Sequence, residues 1–344
     1  MISKRTILSG AAIGVAATFG LAVLAMPLGP VLAAKYNMKI ATATPRGNQN
    51  IWMKRFKERV EKRFGSDISI KLFPSSQLGT IPRTLESLQL GTIEAWIGPT
   101  GFVKGIEPRY QVLDAPGLFQ DLDHAQKTIL DPSFRDFYLN LGEKKGIRGI
   151  SLYPSGLISV VSRTKPIRKV ADYKGMKIRV LASDMEVEAM KRLGAAPTPM
   201  PLLEVLPALQ RGAIDAVKSA LVIFVPFKYW TISKFLTETE EGIIPTATFV
   251  STLWFNKLPA NLQNIILEEG KKLDKEMYEF SLKERKFLQG LWVKNGGELI
   301  QLPPAEKKKL MAKMETVGAT VVAKNAAVKK IYERLLKVAA KHRK

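Results

Sequence analysis

Residues 172–219 restrict the fold of this chain more than any other stretch. A turn at Lys174-Gly175 leads into a short strand, Met176 to Leu181, with β-branched Ile178 and Val180. Ser183 and Glu186 fit the S-x-x-E capping box, which predicts a helix from Asp184. Met185, Ala189 and Leu193 form its apolar stripe, and Gly194 stops it. After a proline-punctuated loop, Leu202 to Arg211 reads as a second helix closed by Gly212, and Ile214 to Val217 as another strand. A strand-helix-helix-strand unit of this kind belongs to a layered α/β domain. Arg179 stands out: a cation among apolar strand neighbours, near the strand's C-terminal end, where open α/β sheets bind ligands.

The 344 residues suffice for two domains and a large core. No cysteine is present, which excludes disulfides, thiolate catalysis and cysteine metal sites. With only His124 and His342, no histidine metal site or nucleophile-base pair can be assembled, so no cofactor, metal or enzyme activity is expected. Residues 1–33 carry the marks of an export signal: Lys4 and Arg5, an apolar run from Ile7 to Met26, and Val31-Leu32-Ala33 before a cleavage site. The alternative is a membrane anchor, since about 20 apolar residues can span a bilayer; Gly10, Gly14, Gly20 and Pro27 count against it. The formal charge is +22, which could suggest nucleic acid. Acids are interleaved with the bases, however, as in Lys54–Arg63 and Lys271–Lys286, and such runs read as solvated helix faces.

Three linked motifs run through the central stretch: K-G-x-K-I-R at 174–179, L-G-A-x-P-x-P-M at 193–200, and E-V-x-x-A-L-Q-x-G at 204–212, followed by Asp215. In this order they resemble the solute-binding receptors of tripartite ATP-independent periplasmic (TRAP) transporters, the DctP-type family. The resemblance covers roughly residues 36 to 320. It implies a two-lobed α/β periplasmic solute-binding fold with a long helix bracing both lobes. It also implies delivery of a small organic acid to an ion-gradient-driven TRAP permease, with the receptor in the periplasm and cleaved near Ala33. The expected division is 34–155 plus 245–284 for one lobe and 156–244 plus 285–328 for the other, with 329–344 a basic tail or helix. A monomer is expected. The receptor of an ATP-driven importer and a basic surface- or nucleic-acid-binding protein remain as alternatives.

Elsewhere the periodicity predicts strands at Met38–Ala43, Ile68–Phe73 and up to Ile97, with helices from about Gln49 to Phe64 and Pro82 to Leu90. Repeated strand-helix units point to a mostly parallel sheet. Residues 99–120, rich in Gly and Pro, read as loop. Helices are expected at Asp121–Leu130 and Phe134–Lys145. Two strands, Ile147–Leu152 and Leu157–Ser162, are separated at Tyr153-Pro154-Ser155-Gly156, where the chain would cross between domains. A strand from Ile244 to Phe255, one long helix from Pro259 to about Asn295, a strand at Leu299–Leu302 and a helix from Pro304 to Val317 complete the pattern.

In the family the arginine of K-I-R grips the ligand carboxylate, and Arg179 falls on that position. The bland alternative pairs it with Glu204 or Asp215. Ser219 stands where many relatives have asparagine, and Ile158-Ser159-Val160 lacks the second arginine some relatives carry there; a monocarboxylate with an apolar body fits these departures best. Glu204 reads as a buried structural acid. Phe224 and Trp230 could line a pocket, although such residues are more often core. Thr44, Gln77 and Trp96 lie at or near strand ends of the first lobe and could face the cleft.

Overall fold

The computed structural model describes residues 34–343; the expected leader lies outside the described residues. The strands are β1 (Tyr36–Ala41), β2 (Ile68–Phe73), β3 (Ala95–Pro99), β4 (Ile147–Ser162), β5 (Lys177–Val180), β6 (Ala196–Pro199), β7 (Ala216–Ala220), β8 (Phe235–Glu238), β9 (Ile243–Ser251) and β10 (Glu298–Gln301). The helices are α1 (Asn48–Phe64), α2 (Ile81–Gln89), α3 (Leu122–Ile129), α4 (Arg135–Leu139), α5 (Asp184–Arg192), α6 (Leu202–Gln210), α7 (Leu221–Phe224), α8 (Thr252–Phe255), α9 (Ala260–Lys294), α10 (Pro304–Met314), α11 (Val317–Val322) and α12 (Ala326–His342).

The strands follow the order β2-β1-β3-β9-β4-β7-β5-β6, with β8 and β10 branching from β4. Each lobe has its own sheet, and β4 belongs to both. Its first part pairs with β9 as far as Leu157–Ile243, and Ile158–Ser162 pairs with β7 and β8. The two strands expected at 147–152 and 157–162 are therefore one 16-residue strand, with an irregularity between Pro154 and Leu157. Pro154 lies opposite Pro245, so neither can donate to the ladder there, and the register slips before Leu157. The sheet is also less parallel than expected. β1 and β2, β1 and β3, β5 and β6, and β5 and β7 run parallel, but β9 pairs antiparallel to β3 and β4, and β4 to β7.

α9 is the long helix expected, 35 residues. Leu262, Ile266, Leu273 and Met277 join the core between α1 and the first sheet; Leu288 and Trp292 join the core that extends into the second lobe. Its approach to β4 is tight. A Cβ on Gly270 would lie 2.4 Å from the Ile150 carbonyl oxygen. One turn on, the buried Asp274 carboxylate accepts from Ser151 Oγ at 2.6 Å, the Leu152 amide at 2.8 Å and Arg135 Nε at 2.6 Å.

Three further expectations change. Residues 100–114 hold two 3-10 stretches rather than open loop. The helix expected over 134–145 is the short α4 plus one 3-10 turn. α5 starts at Asp184 but without the capping box, because Glu186 points inward. Of the two forms expected for the C-terminal segment the structure has the helix: Ile331, Tyr332, Leu335 and Val338 of α12 are buried.

Candidate functional site

The ends of β1, β3, β5 and β7 converge on an interlobe cavity of about 390 Å3, counting the open space at its mouth. Each lobe supplies strand ends because side chains beyond the last ladder bond are free to face the crevice. Arg179 is the one charged side chain in the lining.

Arg179 is 1% exposed. Nε and Nη2 donate to the Met200 carbonyl at 3.0 and 2.9 Å, and Nη1 reaches the Lys218 carbonyl at 3.5 Å. A guanidinium has five N–H groups, so one remains on each terminal nitrogen. That pair matches the two oxygens of a carboxylate. Among the described residues no carboxylate forms an ion pair with it: Asp215 accepts from the Lys177 amide, and Glu204 is exposed in the first turn of α6. The expectation that Glu204 is a buried structural acid is thus corrected; the helix start holds it at the surface, where the N-terminal dipole favours an acid. Burial lowers the Arg179 pKa, against the opposing influence of the Tyr229 hydroxyl, but a guanidinium keeps its proton. Among the described residues the Tyr229 hydroxyl has no hydrogen-bond partner, and burial pushes its pKa up to about 12.

The opposite wall is polar at one point. Thr42 accepts from the Thr44 amide and donates its hydroxyl proton to Gln49 Oε1, which also accepts from Thr44 Oγ at 3.1 Å. This fixes the amide so that its Nε2 group is left with no protein acceptor among the described residues. The Ser219 hydroxyl likewise has no protein partner among them. The remainder of the lining is mostly apolar, with Ile81, Phe102, Leu181, Leu202, Ile223 and Ile244 prominent. Gly98 carries no side chain because a Cβ there would lie 2.4 Å from the Trp96 ring.

Thr44, Trp96, Arg179 and Ser219 line this cavity together. Gln77 is exposed outside it. Phe224 is core, edge-on to Tyr229 at 5.2 Å, and Trp230 packs edge-on to Trp292 of α9 at 6.2 Å. Sequence reasoning missed Gln49 and Phe102. Gln49 follows the first strand at a helix start, a signal that was there to use; Phe102 sits in a Gly- and Pro-rich stretch with no periodicity. Among the described residues no cluster of acids and histidines could hold a metal.

Behind Arg179 lies a buried charged cluster. Lys218 Nζ pairs with Glu186 Oε1 at 2.7 Å and lies 3.9 Å from Glu241 Oε1, while Glu186 Oε2 accepts from the Leu181 amide. Asp114 is buried too; burial, with Glu186 nearby, pushes its pKa up to about 8, which the Ser183 hydroxyl and the Lys218 charge oppose only in part.

The family described as bacterial extracellular solute-binding protein, family 7 (DctP), matches residues 40–325. The 2,3-diketo-L-gulonate-binding periplasmic protein of Escherichia coli K12 is 30% identical over 225 residues, covering 65% of this chain and 68% of that protein. The C4-dicarboxylate-binding periplasmic protein of Rhodobacter capsulatus is 28% identical over 269 residues, covering 76% of this chain and 77% of that one. A TRAP periplasmic solute-binding protein from Desulfovibrio salexigens, solved with bound orotic acid, superposes with a TM-score of 0.84 at 25% identity, over 90% of this chain and 100% of that chain. With an arginine-lined interlobe cavity, the two-lobed fold and a family match over most of its length, the chain belongs to the family 7 extracellular solute-binding proteins, the DctP-type receptors of TRAP transporters.

Proposed function

We propose that this protein is a periplasmic receptor that holds a small monocarboxylate between its lobes and hands it to an ion-gradient-driven TRAP permease. One observation carries the reading: a buried guanidinium with no carboxylate partner among the described residues and one N–H spare on each terminal nitrogen. An unpaired buried charge is costly, so the site is completed by an anion from outside. Relatives described with 2,3-diketo-L-gulonate and orotic acid, both carboxylic acids, support the ligand class. The single cation, with apolar walls around it, favours one carboxylate over two.

The lobes are assigned residues 34–155 plus 245–284 and 156–244 plus 285–328, a division supported by β4, whose pairing passes from β9 to β7 and β8 after Leu157. Export with cleavage near Ala33 is supported by the leader's composition. Ligand contacts from both lobes would favour the closed arrangement of a hinge. The test is a thermal-shift screen of the mature protein against organic acids and their neutral amides. Ligand at 100 times its Kd should add about 2.7 kcal/mol, and the amides should add nothing. Stabilisation by amides and acids alike would remove the carboxylate reading.

A further inference from the structure

A second, larger chamber adjoins the Arg179 cavity. It measures about 920 Å3, counting the open space at its mouth. The two spaces share a wall, since Ile81 of α2 and Phe102 line both. On the first lobe's side Leu85 and Ile106 continue the outer chamber; across the seam it is lined by Ala182 and Met200. Met200 is also the residue whose carbonyl holds the Arg179 guanidinium. The charged head of the inner site is therefore anchored to the wall of the outer one.

Resting on the receptor reading above, we propose that the ligand is an elongated monocarboxylate, its head on Arg179 and its alkyl or aryl tail running past Phe102 and Ile81 into the outer chamber. The enclosed part of the inner cavity is only about 20 Å3, room for little more than a head group, and its walls leave only the Gln49 amide and a few hydroxyls for polar contact. An apolar body that outgrows it meets the apolar outer walls. The divider can yield: Phe102 and Met200 are only half-buried, and a thioether chain repacks easily. The outer chamber is unsuited to a second carboxylate. Its one cation, Lys104, is already paired with Asp184 at 2.6 Å, and the exposed Glu86 carboxylate at the rim repels anions.

The experiment is calorimetric titration of the mature protein with straight-chain monocarboxylates from acetate to octanoate, and with the α,ω-dicarboxylates of matching length. Beyond the shortest members, affinity should rise about fourfold per methylene, and each long dicarboxylate should bind at least tenfold weaker than its monocarboxylate. Ala182→Phe, which fills the outer chamber without touching Arg179, should weaken the long acids tenfold or more and leave the short ones within twofold. Leu85→Ala, a gentler change, should weaken only the long acids, by several-fold. Affinity that peaks at two or three carbons and ignores both variants overturns the tail assignment while leaving the carboxylate receptor intact. Absence of binding by every carboxylate overturns the receptor reading and the tail with it.

Discussion

The Lys218 ammonium lies 2.7 Å from Glu186 Oε1, and both side chains are almost wholly removed from water. Burial alone would depress the lysine pKa; Glu186 and Glu241 more than offset it, and the pKa stays raised. One lysine cannot neutralise three buried acids: Lys218 pairs closely with Glu186 and more distantly with Glu241, and among the described residues Asp114 has no ion pair.

Asp114 should therefore make stability fall with rising pH. Its pKa rises from 3.8 unfolded to about 8 folded. The folded state then holds a proton that the unfolded chain has lost, so this stability is full below about pH 4 and is lost as pH climbs through about 8. Asp274 and Glu284, pushed up to about 6 and about 7 chiefly by burial, add slope of the same sign. The urea midpoint should drop between pH 5 and pH 8.5, and Asp114→Asn should reduce that drop. An unchanged slope in the variant would show that Asp114 ionises freely in the fold.

Removing Arg179 leaves a ligand carboxylate desolvated and unpaired, a loss of about 2–5 kcal/mol. At 1.4 kcal/mol per tenfold, Arg179→Ala should lower affinity about 30-fold to several thousand-fold. Arg179→Lys should recover only part, because an ammonium cannot reproduce the planar fork. Lys174→Ala, in the turn before β5, is the control and should change little. Calorimetry on variants whose folding is checked by circular dichroism decides it; binding of folded Arg179→Ala within a few-fold of wild type would move the clamp elsewhere.

Gly270→Ala sets helix propensity against packing. Inside a helix the exchange should gain about 1 kcal/mol. Here the new methyl group meets the Ile150 carbonyl at 2.4 Å, a backbone atom of β4 that cannot swing away. Overpacking of this sort costs about 1–3 kcal/mol, so the net effect should be a lower urea midpoint. A midpoint equal to or above wild type would mean that α9 slides on β4 without cost.

Leu335→Ala should cost about 2–5 kcal/mol, the range for truncating a fully buried leucine. α12 packs on α3, where His124 Nε2 meets the Ala339 carbonyl at 2.8 Å. A thermal midpoint unchanged by the substitution would return this segment to the status of a tail.

Local pattern was enough for much of this molecule. The 3.6-residue stripes of α1, α5 and α9 and the apolar strands β1, β2 and β5 could be read from the chain, because each needs only its own residues to mark a buried face. The same holds for Arg179 as a lone cation near a strand end, and Gly175, at φ +76°, marks the expected turn before it. Tertiary structure decided the rest. Tyr153-Pro154-Ser155-Gly156 reads as a gap between two strands, yet pairing with β9, ninety residues on, keeps it inside β4. Glu186 reads as a capping residue, yet Lys218 from β7 draws it inward. Phe224 and Trp230 have the composition of a pocket lining and fill the core, whereas Gln49 and Phe102 reach the cavity. Periodicity records which side chains leave water. Which of them meet across the seam between lobes depends on strand register and on contacts distant in sequence, and those exist only once the chain has folded.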